Sequence, residues 1–203
     1  MQNFILRDPT SKDLEYLDKI KFTQQQIEER AKDLCLQITS DYQNIDILVS
    51  IMDGGYYWSN LLEKNLKPAK RINSSISYYD DNIIKKMSDD ELNKVDFANK
   101  NVLISEDIIA TGRTISEVIK IISDSQPKLV VVCTMIDKPQ VRTQKYLSVN
   151  KYIKYVGFEC PKNEFLCGYG MKGISPLPED LRHIKDIYSV KETPVLYWEF
   201  TKE

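Results

Sequence analysis

The run Val102-Leu103-Ile104-Ser105-Glu106-Asp107-Ile108-Ile109-Ala110-Thr111-Gly112-Arg113-Thr114 limits the folds open to this chain more than any other stretch. A buried-type strand ends in two adjacent carboxylates. A tight turn of small and hydroxyl residues follows, and a helix is expected to begin near Ile115, with Ile115, Val118, Ile119 and Ile122 facing inward. The same order recurs elsewhere. Ile45 to Ile51 leads into Asp53-Gly54-Gly55, then into a helix marked by Trp58, Leu61 and Leu62. Leu129 to Ile136 leads into Asp137-Lys138-Pro139, and Tyr152 to Phe158 leads into a tail containing proline and glycine. Short apolar strands alternating with amphipathic helices predict an α/β fold with a parallel sheet flanked by helices. Such sheets bind ligands beyond the carboxyl ends of their strands, so the loops after each strand carry the information.

At 203 residues the chain is expected to form a single domain over 1–203. An entry helix is predicted where Thr23 and Gln26 make a capping box and Phe22 and Ile27 a hydrophobic staple. Ile27, Ala31, Leu34 and Ile38 then share one face. The net charge of -2 gives no bulk electrostatic reason to expect nucleic acid or an anionic membrane as partner. No apolar stretch approaches the roughly 20 residues of a membrane helix, and Met1 to Thr10 does not read as a signal peptide. Cys35, Cys133, Cys160 and Cys167 are scattered and, with the single His183, make no zinc pattern. They read as reduced packing residues of a cytoplasmic protein. Between Ser74 and Lys100 the pattern turns charged, as in a solvated excursion or a lid over an active site.

The turn after the carboxylates has a definite chemistry. Its backbone N–H groups, the Thr111 and Thr114 hydroxyls and the positive helix end can all face a phosphate. Glu106 and Asp107 only accept hydrogen bonds when ionised, which suits sugar hydroxyls or the water around a metal ion. Together they describe a site for a phosphorylated sugar. The GxxxxGK[ST] spacing of a Walker loop is absent.

This segment closely resembles the 5-phosphoribosyl-1-pyrophosphate (PRPP) motif of type I phosphoribosyltransferases, and the chain around it resembles their hypoxanthine-guanine branch. The likeness runs from about Phe22 to Met171 and takes in the Gly54-Gly55 loop, Ser77-Tyr78, Asp137-Lys138-Pro139, Val156-Gly157-Phe158-Glu159 and Phe165-Leu166-Cys167-Gly168-Tyr169-Gly170. The resemblance implies a hood built from about 1–25 and 160–203 and a flexible lid over about 74–100. It implies that Glu106 and Asp107 hold the ribose hydroxyls and Mg²⁺, and that Ile109, Ala110, Thr111, Gly112, Arg113 and Thr114 wrap the 5-phosphate. Asp53, Gly54 and Gly55 would form the pyrophosphate loop, often with a non-proline cis peptide. Ser77 and Tyr78 would sit on the catalytic lid, Phe165 would stack on the base, and the Leu166 backbone would read its edge. Lys138, a donor without acceptors, would complement the O6 carbonyl of hypoxanthine or guanine and reject the amino group of adenine. The implied reaction is purine salvage: Mg²⁺-dependent formation of IMP or GMP with release of pyrophosphate. Family members usually form dimers or tetramers.

The sequence departs from that pattern at the site itself. Ala110 stands where the branch usually has an aspartate, taken as general base at the purine N7; alanine there also occurs in the adenine-using branch. Asp53 replaces a common lysine, and Lys172 a common aspartate, which suggests an Asp53–Lys172 charge swap. The arginine expected shortly afterwards is out of register, with Arg182 the candidate. These departures keep two alternatives open: a regulator that binds PRPP or a purine nucleotide with impaired turnover, and an adenine-using transferase.

Overall fold

A computed structural model describes residues 5–76, 90–160 and 164–193. Strand β1 (Leu17–Phe22) enters helix α1 (Gln24–Asp41), where the Thr23 hydroxyl accepts from the Gln26 N–H and the Gln26 side chain returns the bond. That is the predicted capping box. Strand β2 (Ile47–Ile51), helix α2 (Tyr56–Leu66) and strand β3 (Lys70–Ser74) follow, then the short helix α3 (Asp90–Asn93). The central strand β4 (Asn101–Ile109) leads to α4 (Arg113–Ser123), β5 (Leu129–Asp137) and β6 (Ile153–Glu159). Strands β7 (Leu166–Cys167) and β8 (Ile187–Val190) close the described chain.

The five strands pair in the order β3-β2-β4-β5-β6, all parallel. Alternate residues of β4 point to opposite faces, as the pleat requires. Leu103 packs with Leu48, Val131 and the α1–α2 layer of Ile27, Leu34, Ile38, Trp58 and Leu62. Val102 and Ile104 pack on the other face with Ile115, Val118 and Ile122 of α4. Both faces are therefore covered, which explains why these strands read as unbroken apolar runs. A separate antiparallel sheet, β1-β8-β7, forms the hood from the two ends of the chain, around Leu17, Phe165, Leu177, Leu181 and Tyr188.

Two boundaries differ from the sequence reading. Strand β4 does not stop at the carboxylates: Glu106 pairs with Thr134 and Ile109 with Asp137, so the ladder to β5 carries the strand through Ile109. Helix α4 starts at Arg113, two residues earlier than expected, because Gly112 serves as its N-cap with φ +89°. Within the charged stretch after Ser74, Leu92 and Phe97 are fully buried against the second core face, so this part of it is packed and not solvated.

Candidate active site

The carboxyl ends of β2, β4 and β5 bring three loops together. After β2, the chain turns through Met52–Asp53, a non-proline cis peptide, into Gly54 and Gly55 and the start of α2. Gly54 lies directly against Asp107: a Cβ there would come within 1.8 Å of Asp107 Oδ2. No side chain fits between loop and carboxylate without one of them moving. Beneath these loops the hydroxyls of Ser50, Ser59 and Ser105 form a buried chain, with contacts of 2.7 and 2.8 Å, and Arg71 donates to Ser50 at 3.2 Å. That chain ties β2, α2 and β4 just below the residues that project into the site.

Glu106 is buried and Asp107 adjoins it, with the Asp107 N–H donating to Glu106 Oε1 at 3.1 Å and the Ile108 N–H to Asp107 Oδ1 at 2.8 Å. Burial first, and then the charge of Asp107, push the Glu106 carboxyl well above the usual carboxylate range. Burial also raises Asp107, opposed by its hydrogen bonds with Glu106 and the Ile108 N–H and by the nearby Arg182. A cation bound at this pair would favour the ionised forms of both carboxyls. Among the described residues no cluster of three or more His, Cys, Asp or Glu side chains could hold a metal. The carboxylate oxygens of Glu106 and Asp107 are hard donors, of the type a cation such as Mg²⁺ takes together with substrate and water oxygens.

Beyond Ile109 the loop Ala110–Gly112 runs into α4, and the Arg113 N–H donates to Thr111 Oγ1 at 3.4 Å. Lys138 follows β5 at the opposite edge. Its backbone N–H donates to the Ile109 carbonyl at 2.9 Å, which ties the lysine to the end of β4, where the Ala110–Gly112 loop begins. The side chain is 1% exposed and its ammonium donates to the Glu164 carbonyl. Burial pulls the Lys138 ammonium down to about 8, against the opposing fields of Cys160 and Glu164. Phe165 and Leu166 sit just beyond Glu164, both buried, with Phe165 packed in the hood cluster. The Glu164 side chain is held by Lys21 of β1 at 2.7 Å. Ser77 and Tyr78 lie outside the described residues.

Asp53 and Lys172 do not form the suggested charge swap. Asp53 faces Arg182, with Oδ2 3.6 Å from Nη1, while Lys172 reaches Glu179 at 3.8 Å. The reason is the helical turn Glu179–His183, which delivers Arg182 to the Asp53-Gly54-Gly55 loop from the hood side. No sequence pattern marks Arg142, whose guanidinium lies behind the Ala110–Gly112 loop, bonded to Asp137 and to the Ala110 carbonyl. A lone arginine four residues after Lys138 carries no local signal of such a role.

The phosphoribosyl transferase domain model matches residues 21–172. Hypoxanthine phosphoribosyltransferase of Buchnera aphidicola subsp. Schizaphis graminum is 33% identical over 165 residues, covering 75% of this chain and 86% of that protein. The Escherichia coli K12 protein of the same name is 32% identical over 164 residues, covering 75% and 86%. Among solved structures, a hypoxanthine-guanine phosphoribosyltransferase from Bacillus anthracis superposes with a TM-score of 0.66 at 26% identity, covering 86% of this chain and 98% of that one. The fold, the ordered loops and these likenesses agree, and the chain belongs to the type I phosphoribosyltransferase family, in its hypoxanthine-guanine branch.

Proposed function

We propose that this chain is a purine salvage transferase that forms IMP or GMP from hypoxanthine or guanine and PRPP, releasing pyrophosphate. The observation that carries the choice of base is Lys138: a buried ammonium at the end of β5, tied to the first residue of the phosphate loop. Its donors match the O6 carbonyl of a 6-oxopurine, whereas the adenine amino group would leave donors facing donors in a dry site.

The residues divide the work of the transfer. The purine N9 forms a bond to C1 of the ribose as the C1–O bond to pyrophosphate breaks, and the purine gives up a proton. The loop from Ile109 to Thr114 holds the 5-phosphate, with the N-terminus of α4 adding favourable charge. Glu106 and Asp107 accept from the ribose hydroxyls and are the residues to hold Mg²⁺, which when bound would stabilise charge on the departing pyrophosphate. Asp53, Gly54 and Gly55 shape the pyrophosphate loop, and Arg182 adds a positive group beside it. By likeness to the family, Phe165 would stack on the base, the Leu166 backbone would read its edge, and Ser77 and Tyr78 would serve a lid. We assign the protein to the cytoplasm, as a homodimer or homotetramer; among the described residues no helix is long and apolar enough to cross a membrane.

Ala110 favours a second reading. Without an acid at that position the site lacks the branch's usual proton acceptor, as expected of a regulator with impaired turnover. Steady-state assays with PRPP and Mg²⁺, offering hypoxanthine, guanine, xanthine and adenine separately, decide between them. Nucleotide formed from an oxopurine establishes the transferase. Silence with all four bases, alongside calorimetric binding of PRPP or a purine nucleotide, establishes the regulator instead.

A further inference from the structure

The Arg142 side chain is 0% exposed, and a guanidinium this dry must be fully paired to be tolerated. Its partners come from three separate places: the Asp137 carboxylate at the end of β5, the Ala110 carbonyl at 3.0 Å, and Asn150 Oδ1 at 3.1 Å. The next residue continues the contact, with the Thr143 N–H donating to the Thr111 carbonyl at 3.3 Å. Gly112 then packs on the arginine stem, since a Cβ there would lie 2.8 Å from Arg142 Cδ. Three consecutive residues of the loop are thus held from one side.

The consequence follows from the peptide unit. A trans peptide is planar and directs its N–H opposite to its C=O. Drawing the Ala110 and Thr111 carbonyls toward Arg142 and Thr143 turns the N–H groups of Thr111 and Gly112 the other way. Neither of these N–H groups has a hydrogen-bond partner among the described residues. They remain as two donors without a partner among the described residues at the N-terminus of α4, where an anion is favoured.

We propose that Arg142 is the positioning residue of the phosphate loop. It fixes the Thr111 and Gly112 N–H groups toward the 5-phosphate and, through Asp137, ties that loop to the strand end bearing Lys138. This rests on the reading of Ile109–Thr114 as the 5-phosphate site. Arg142 does not touch the ligand; it acts through the loop carbonyls.

The test uses Arg142→Ala, Arg142→Lys and Thr143→Pro, each titrated with ribose 5-phosphate by calorimetry and assayed for the KM of PRPP. Proline suits position 143, because Thr143 has φ -78° and Arg142 already has φ -63°, ψ 124°. Arg142→Ala is expected to weaken ribose 5-phosphate and raise the PRPP KM by roughly ten- to a hundredfold. Millimolar guanidinium should restore part of the loss in Arg142→Ala and leave the wild type unaffected. Thr143→Pro should shift both quantities in the same direction by a smaller factor. The ligand-induced amide shifts of Thr111 and Gly112 should shrink in all three variants. Unchanged phosphate affinity in a cooperatively folded Arg142→Ala, or a loss confined to kcat, overturns the proposal. If that variant does not fold, unchanged affinity in Thr143→Pro does the same. The wild-type affinity separately tests the phosphate reading: if the wild type binds neither ligand, that reading fails and the role of Arg142 falls with it.

Discussion

Arg182 Nη1 stands 3.6 Å from Asp53 Oδ2, so a residue of the hood pairs with the loop that resembles a pyrophosphate cradle. The Asp53 side chain is 70% exposed, and an ion pair that open to water contributes at most about 1 kcal/mol. Arg182 is more deeply set, and its Nε has no hydrogen-bond partner among the described residues. The side chain keeps 15% exposure, and its positive charge stands beside the loop that a pyrophosphate would meet. Arg182→Ala is expected to raise the PRPP KM about tenfold or more, with a small change in melting temperature. Asp53→Asn should lower stability by under about 1 kcal/mol and tighten inhibition by pyrophosphate, since it removes a repulsive charge. Product-inhibition kinetics on the two variants check both statements.

Ala110 is half-buried at the turn, and its carbonyl is already held from behind by Arg142. That bond is to the backbone carbonyl, so it does not depend on the side chain at 110. Ala110→Asp is expected to raise kcat with hypoxanthine at least tenfold, within the roughly 10²–10⁴ that positioned acid–base groups supply. The PRPP KM should change little. A kcat equal to that of the wild type in single-turnover assays would mean that another group already accepts the proton.

The central sheet was readable because strands buried on both faces are written as unbroken apolar runs, as in Val102–Ile104 bounded by the Glu106-Asp107 pair. The acidic pair, the glycine loop and Lys138 were readable because each closes such a run. Local pattern could not reveal contacts made across the fold. The continuation of β4 through Ile109 depends on pairing with Asp137, and the place of Arg182 depends on a turn that begins after Pro178. Arg142 is the clearest case: its role comes from Asp137, Ala110 and Asn150, which converge only when β5, the loop and the turn Gln144–Lys151 pack together.

The hood is clamped by an ion pair that gives it a distinct acid response. Arg7 pairs with Asp13 at 2.5 Å, while the Arg7 N–H donates to the carbonyl of His183, the neighbour of Arg182. The Arg7 guanidinium, opposed by burial and helped by the Thr10 N–H and hydroxyl, holds the Asp13 carboxyl down at about 2. A carboxyl depressed in the folded state stabilises it above the unfolded value of 3.8, and that contribution disappears as pH falls through about 2. Asp13→Asn is therefore expected to cost roughly 1–2 kcal/mol at neutral pH. Urea melts should show the gap between wild type and variant closing between pH 4 and pH 2.

The pH profile bears most directly on the choice of base. Burial disfavours the charged form of Lys138 and brings it down to about 8 from 10.5. In the free protein the ammonium is therefore lost two to three pH units earlier than in an exposed lysine, and the donors that the proposed O6 contact needs are strongest when charged. For hypoxanthine, kcat/KM should fall as pH rises through about 8. Lys138→Arg keeps its charge across that range, so its profile should lack this limb even if its overall rate is lower. Lys138→Gln presents both a donor and an acceptor and should narrow the preference for hypoxanthine over adenine by at least tenfold. A descending limb near pH 8 that persists unchanged in Lys138→Arg would assign the titration to another group and remove Lys138 from the base-reading role.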